Sequence, residues 1–199
     1  KYQEQRIVLS SLINSSSKIL FERNPRDRVA KVAPWLTLDG DPYPAVIDGK
    51  VIWIIDGYTT SAGYPYAKKT SLSGATADAL TANSTSITAQ LNTSVNYIRN
   101  SVKATVDAYD GTVSLYQWDE KDPVLSTWSK AFPGVIKPKS AISEGLMSHI
   151  RYPEDIFRVQ REILSSYHVQ TANAFYGGQD FWRVPRDPST FGSNASAQP

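Results

Sequence analysis

The sequence predicts an α+β fold: a mainly antiparallel sheet built from two hairpins, packed with several helices and followed by a helical C-terminal third. Two observations carry the sheet and the helices. Asp48-Gly49 and Asp110-Gly111 each stand between strand-like runs, and Asp-Gly in that setting suits a tight turn whose residues need positive φ. Beyond Pro123 the apolar residues recur at helical spacing instead. A third observation sets the scale: with 41% hydrophobic and 20% charged residues over 199 positions, the chain can bury the core of one domain. That domain is expected over residues 1–185, with a Ser/Thr-rich loop or insertion at about 68–95 and a flexible tail at 186–199.

Taken in order, Ile7, Val8, Leu9, Leu12 and Ile13 fall near helical spacing and predict a helix over about 3–14. Residues 18–22 suggest a short strand. Asn24-Pro25 then supplies an N-cap followed by proline at the first helical position, so a helix should run to about Ala33. Pro34 ends it by disfavouring helical geometry at the residue before it.

In the first hairpin, Asp48-Gly49 pairs Ile47 with Lys50, Val46 with Val51 and Ala45 with Ile52. Val51–Ile55 is apolar on both faces and belongs inside the sheet, whereas Pro42 and Pro44 push their strand to an edge. The second hairpin, 101–109 with 112–118, is expected to set Ala108 opposite Val113, Val106 opposite Leu115 and Thr105 opposite Tyr116. Lys103 then comes near Trp118, within reach of a cation–π contact. Between the hairpins, residues 68–94 are rich in Ser, Thr, Ala and Asn and predict a long surface loop with one helical turn near 75–80. Asp122-Pro123 opens a helix to Ala131, a second is expected over 141–150, and a third starts at Pro153. On the third, Ile156, Val159, Ile163 and Tyr167 make a stripe predicted to be buried, while Glu154–Arg158 and Arg158–Glu162 are spaced to pair. A helical turn at 171–176 and a strand at 181–184 complete the expectation.

Composition excludes several functions. With no cysteine there are no disulfides, iron–sulfur clusters, cysteine-ligated zinc or thiol nucleophile. The longest apolar run, Val51–Ile55, is far below the roughly 20 residues of a membrane-spanning helix. A net charge of +2 is too small for a nucleic-acid footprint, and Arg23, Arg26, Arg28 and Lys31 suggest a solvated helix face. The chain opens on Lys1 without an initiator methionine or a signal-peptide pattern, so it is expected to be a piece of a longer protein.

Nucleophile-elbow, P-loop, dinucleotide-binding and zinc-protease motifs are all missing. His168, at a helix end, suits a structural cap. One constellation stands out. Carrying the first hairpin's register outward sets Asp41 opposite Asp56 and leaves Asp39 one repeat further along the same face. Three converging carboxylates are a candidate site for a hard divalent cation such as calcium, or for acid/base chemistry with split pKa values. The plainer reading is that such aspartates bond their own turns. Tyr58, Thr59, Tyr64 and Tyr66, close by, are candidates to line a groove for a glycan, lipid or peptide; Tyr64-Pro65-Tyr66 also suits a loop anchor packed on the sheet.

The runs Ala33-Pro34-Trp35-Leu36, Asp39-Gly40-Asp41-Pro42-Tyr43-Pro44 and Trp53-Ile54-Ile55-Asp56-Gly57-Tyr58-Thr59-Thr60-Ser61 resemble the bacterial uncharacterised protein family 0182. The similarity continues through Asn96-Tyr97-Ile98-Arg99-Asn100, Val106-Asp107-Ala108-Tyr109-Asp110-Gly111 and Arg151-Tyr152-Pro153-Glu154-Asp155. Members are large integral membrane proteins, mainly of actinobacteria, with N-terminal spans and a large region outside the membrane. The resemblance implies that this chain is part of that external region, attached to the cell membrane through segments absent here. It implies no activity, cofactor or catalytic residue. The leading expectation is therefore a non-enzymatic extracytoplasmic binding or scaffolding domain of the cell envelope, meeting a ligand or protein partner there. The alternative is a cation-dependent envelope hydrolase using the Asp cluster, and a purely structural domain is a third reading.

Overall fold

A computed structural model describes Ser11 and residues 14–17, 21–77 and 87–184. The expected N-terminal helix lies, apart from Ser11 and Asn14, outside these residues, as does the tail. Phe21 and Glu22, expected to end a strand, belong to none, and Glu22 turns the chain with φ 56°. The first helix, α1 (Pro25–Val32), begins as expected: the Asn24 side chain accepts from the backbone N–H groups of Arg26 and Asp27, and Pro25 occupies the first turn.

The sheet is mainly antiparallel and is centred on two long strands. The strands are β1 (Thr37–Leu38), β2 (Tyr43–Ile47), β3 (Lys50–Ser61), β6 (Tyr97–Asp107), β7 (Val113–Gln117) and β8 (Ile136–Lys137). β3 pairs with β6 on one side and with both β2 and β1 on the other; among the described strands only β7 and β8 run parallel. The first hairpin has the expected register, from Ile47 opposite Lys50 to Tyr43 opposite Ile54. Its turn needs positive φ at both central residues, and Asp48 (50°) and Gly49 (75°) supply it.

The second hairpin differs by two residues. Val106 pairs with Val113, Thr105 with Ser114 and Ala104 with Leu115. The cause is local: the Asp107 side chain accepts from the backbone N–H groups of Tyr109 (2.8 Å) and Asp110 (3.2 Å), capturing a wider turn closed by Gly111 at φ 74°. Because the shift is even, each side chain keeps its face.

Both faces of the sheet are covered. On one, α1 and α3 (Pro123–Ala131) bury Val29, Leu36, Ile55, Val102, Val106, Leu115 and Leu125. On the other, α4 (Glu144–His149) helps enclose Tyr43, Ile47, Ile54, Ile142 and Leu146. The helix expected over 141–150 is split into a 3₁₀ turn at Lys139–Ala141 and α4. The expected loop between the hairpins is tied back to the fold by β4 (Thr70–Ser71) pairing with β5 (Ser94–Val95). Its helical turn, α2 (Leu72–Ala75), falls earlier than expected, and Leu72, Ala75 and Gln90 are buried. α5 (Glu154–Tyr167) starts as expected, but its stripe is buried only at Ile156, with Ile163 and Tyr167 about half exposed. α6 (Ala172–Gly177) follows, and residues 181–184 are not a strand.

Candidate functional site

Strand periodicity places Ile54, Asp56 and Tyr58 on one face of β3. A bulge in β6 decides what meets them. Gly57 pairs with Val102 but Tyr58 pairs with Asn100, so Ser101 is the extra residue. Asn100 is thereby turned to the Asp56 face beside Lys103, which is directly opposite Asp56. Ser101 turns to the other face, where its hydroxyl meets Thr59 (2.9 Å) and Asp122 (2.5 Å).

The aspartates converge by a route different from the one expected. The β2 ladder stops at Tyr43, and Asp39 to Pro42 bulges out, so Asp39 rather than Asp41 stands opposite Asp56: its N–H donates to the Asp56 carbonyl (2.9 Å). Proline cannot donate to the ladder, so the register is lost there. Asp39, Asp41 and Asp56 nevertheless border one cavity of about 230 Å³, with Tyr43, Arg151, Tyr152 and Glu154.

Each carboxyl has a distinct environment. Asp39 is buried and saturated: it accepts from the Tyr58 hydroxyl, from Asp155 N–H (3.2 Å) and from Asp41 N–H (2.9 Å). Asp56 is paired with the Lys103 ammonium and accepts from Asn100 Nδ2 (3.0 Å). Burial pushes the Asp56 carboxyl up and the Lys103 ammonium down, while each residue opposes the other's shift. Lys103 Nζ also donates to the Arg151 carbonyl (3.3 Å) and lies 5.1 Å from the Trp118 ring centre, the expected cation–π contact. Beyond Lys103 lies a second cleft of about 430 Å³ lined by Asn100, Trp118, Arg151 and Tyr152. Asn100 Oδ1 is buried without a donor.

Asp41 is only partly buried, and its carboxyl is raised by desolvation, by the neighbouring Glu154 and Asp39 charges and by a hydrogen bond with Glu154. Asp155 is pushed up to about 6 by burial and by Asp39. It accepts from Gly40 N–H (3.0 Å) and Gln90 Nε2 (2.6 Å), locking α5 and the 87–93 segment onto the Asp39 loop. Arg151 spans the cavity's rim with its guanidinium 4.6 Å from the Tyr43 ring centre.

Two expectations need correction. Among the described residues, no group of three His, Asp or Glu side chains is arranged to hold a metal ion. The divalent-cation set of Asp39, Asp41 and Asp56 is broken up because Lys103 already neutralises Asp56 and Tyr58 occupies Asp39. Nor do Tyr58, Thr59, Tyr64 and Tyr66 share a groove. Tyr58 and Thr59 are buried on opposite faces of β3; Tyr64 stacks on Tyr97 at 5.9 Å, and Tyr66 is fully exposed. Thr59 instead joins Ser101 and Tyr97 in donating to Asp122, which also caps α3 through Val124 and Leu125 N–H. Burial opposes ionisation of Asp122, but these hydroxyl donors outweigh it and hold its carboxyl below the ordinary range. With every acceptor position used, that second buried network is a structural tie.

Lys103, Asn100, Gln90, Arg151 and the Glu154–Asp155 pair were not legible as site residues. Lys103 alone left a signal, as a lysine flanked by Val102 and Ala104 in a strand and expected to lie near Trp118.

The fold and cavity define an α+β domain with a buried seam of charge beside a carboxyl-rich pocket. The chain belongs to the Uncharacterised protein family (UPF0182), which it matches over residues 1–199. It is 58% identical over 199 residues to a UPF0182 protein of Thermobifida fusca, covering 100% of this chain and 20% of that one. It is 59% identical over 192 residues to a UPF0182 protein of Frankia alni (96% and 19%) and 57% identical over 196 residues to one of Streptomyces coelicolor (98% and 20%). The chain thus spans about a fifth of the length of the curated relatives it matches. No solved structure matches it.

Proposed function

We propose that this is a non-enzymatic binding domain of a cell-envelope membrane protein, held outside the cytoplasm, and that it captures a small amine-bearing molecule in the Asp41–Glu154 cavity. The family resemblance supports the envelope setting. The much greater length of the relatives leaves room for membrane segments elsewhere. Within the described residues, no helix is long and apolar enough to cross a membrane.

One observation carries the ligand class. Asp39, Asp41, Asp56 and Glu154 border the cavity against a single bordering cation, Arg151. Asp39 and Asp56 have internal partners and Glu154 pairs with Arg158; Asp41 lies beside Glu154 and Asp39, whose charges help raise its carboxyl. An ammonium group beside Asp41 offsets that repulsion and favours its ionised form. Arg151 on the rim can donate to a neighbouring carboxylate, so a molecule of amino-acid size fits both ends.

Thermal denaturation with alaninamide, alanine and propionate tests this directly. Alaninamide and alanine should raise the Tm with a saturating dose response, and propionate should not. Asp41→Asn should abolish the shift without unfolding the protein, because the Asp41 side chain is only partly buried. Stabilisation by propionate alone, or by all three in Asp41→Asn, contradicts the proposal. An equal response to calcium that is lost in Asp41→Asn would instead favour the metal-dependent hydrolase reading.

A further inference from the structure

A different surface is also left unfinished. On α5 only Asp155 and Ile156, in the first turn, are fully buried. Further along, Phe157, Ile163, Leu164 and Tyr167 each expose half or more of their surface. The returning chain widens this ridge rather than capping it. Trp182 N–H donates to the Ser165 carbonyl (3.0 Å), its ring stacks on His168 at 3.9 Å, and Tyr167 packs on Phe175 at 5.2 Å. Tyr176 and Trp182 remain mostly exposed. Grooves run along both sides of the ridge, one of about 680 Å³ beside β4 and β5 and one of about 830 Å³ beside Ala75 and Trp182. With four aromatics on it, the patch is on the order of several hundred Å², more than a finished monomer usually shows.

We propose that this ridge and its grooves are an interdomain docking surface, covered by a further stretch of the same polypeptide outside residues 1–199. Three features select that occupant. The matching relatives are about five times as long as this chain, so ample polypeptide is available. A tethered segment acts at an effective concentration on the order of millimolar, ahead of any partner in trans. The surface chemistry also suits protein rather than acyl chains: Glu162 lines both grooves, with Lys68 and Lys69 in the smaller and Arg161 and Arg183 in the larger, so a covering segment must offer both hydrogen-bond donors and acceptors. Two grooves flanking a ridge are complementary to a shaped polypeptide, whereas a bilayer surface is flat.

The test uses the full-length protein with Phe157→p-benzoylphenylalanine, irradiated in detergent and in lipid nanodiscs, and Tyr109→p-benzoylphenylalanine as control. Tyr109 is 89% exposed at the tip of the β6–β7 turn. The proposal predicts crosslinks within one chain, unchanged on dilution and mapping outside residues 1–199, from position 157 and not from 109. Crosslinks of dimer mass that fall on dilution identify a second copy as the occupant and overturn it; lipid adducts at 157 do so in favour of the bilayer; crosslinking no higher than at 109 shows a free surface. Hydroxyl-radical footprinting of the unsubstituted protein is the independent check. Tyr167 should be oxidised about tenfold less than Tyr109, as expected for the dry core of an interface, and equal oxidation overturns the proposal.

Discussion

Replacing Lys103 by methionine isolates the energetic logic of the buried seam. The Lys103 and Asp56 side chains are 1% and 4% exposed, so neither charge has water to fall back on. Lys103→Met keeps the length of the aliphatic stem and leaves the Asp56 carboxylate with Asn100 Nδ2 as its remaining donor at 3.0 Å. Breaking a buried pair from one side costs about 3–5 kcal/mol. The carboxyl limits that cost by taking up a proton, which makes it pH-dependent. In the variant the folded-state pKa of Asp56 lies further above its unfolded value. Its stability is then retained below the unfolded pKa and lost as pH rises through the folded one. The deficit relative to the parent should therefore be about 1–2 kcal/mol near pH 5 and grow to about 3–5 kcal/mol at pH 8. Adding Asp56→Asn should recover most of it, because both charges then leave together. Urea denaturation followed by fluorescence reads the transition, with Trp118 adjoining the substituted side chain. A deficit below about 1 kcal/mol at pH 8, or one independent of pH, would refute the reasoning; so would a double variant no better than the single one.

Other consequences follow from the same network. Asp155, raised to about 6 by burial and Asp39, stabilises the fold when protonated, fully below its unfolded pKa near 4 and no longer above about 6. Asp155→Asn removes that dependence, so its stability relative to the parent should climb by about 3 kcal/mol between pH 4 and 7 and then level off, as read by thermal denaturation across pH. A Cβ at Gly40 would lie 2.5 Å from the Thr88 carbonyl oxygen. Gly40→Ala should thus cost about 1–3 kcal/mol and raise hydrogen exchange at the Thr88 N–H, which bonds to the Gly40 carbonyl. Asp122→Ala deprives α3 of its cap and leaves the Tyr97, Ser101 and Thr59 hydroxyls without their shared acceptor, a loss of about 2–4 kcal/mol in urea denaturation.

What could be foreseen from sequence followed the range of the interaction. Asp48-Gly49, Asn24-Pro25 and Asp122-Pro123 act within a few residues, and the hairpin register and helix starts they imply are present. The second Asp-Gly turn departs by two residues from what its dipeptide implies because Asp107, outside the dipeptide, competes for the same backbone donors. The carboxyl cluster was half legible. Alternation along β3 puts Asp56 on the right face, but Pro42 dissolves the ladder that would have set Asp41 against it, and Asp39 takes that position. Lys103 faces Asp56 only because β6 pairs with β3, 47 residues away in sequence. Asp155 and Gln90 reach the site through contacts across 115 and 65 positions, and no local pattern encodes those. The apolar stripe of α5 shows the converse: its periodicity is real, but its burial depends on what packs over it.

The central claim, that an ammonium group binds beside Asp41 and favours its ionised form, is tested most directly by a carboxyl ¹³C NMR titration of Asp41 with and without saturating alaninamide. Without it, the midpoint should lie above the ordinary aspartate value, as desolvation and Glu154 require. With it, the midpoint should fall to or below that value, and affinity should rise with pH through the unliganded midpoint. An Asp41 titration unchanged by alaninamide would contradict the account.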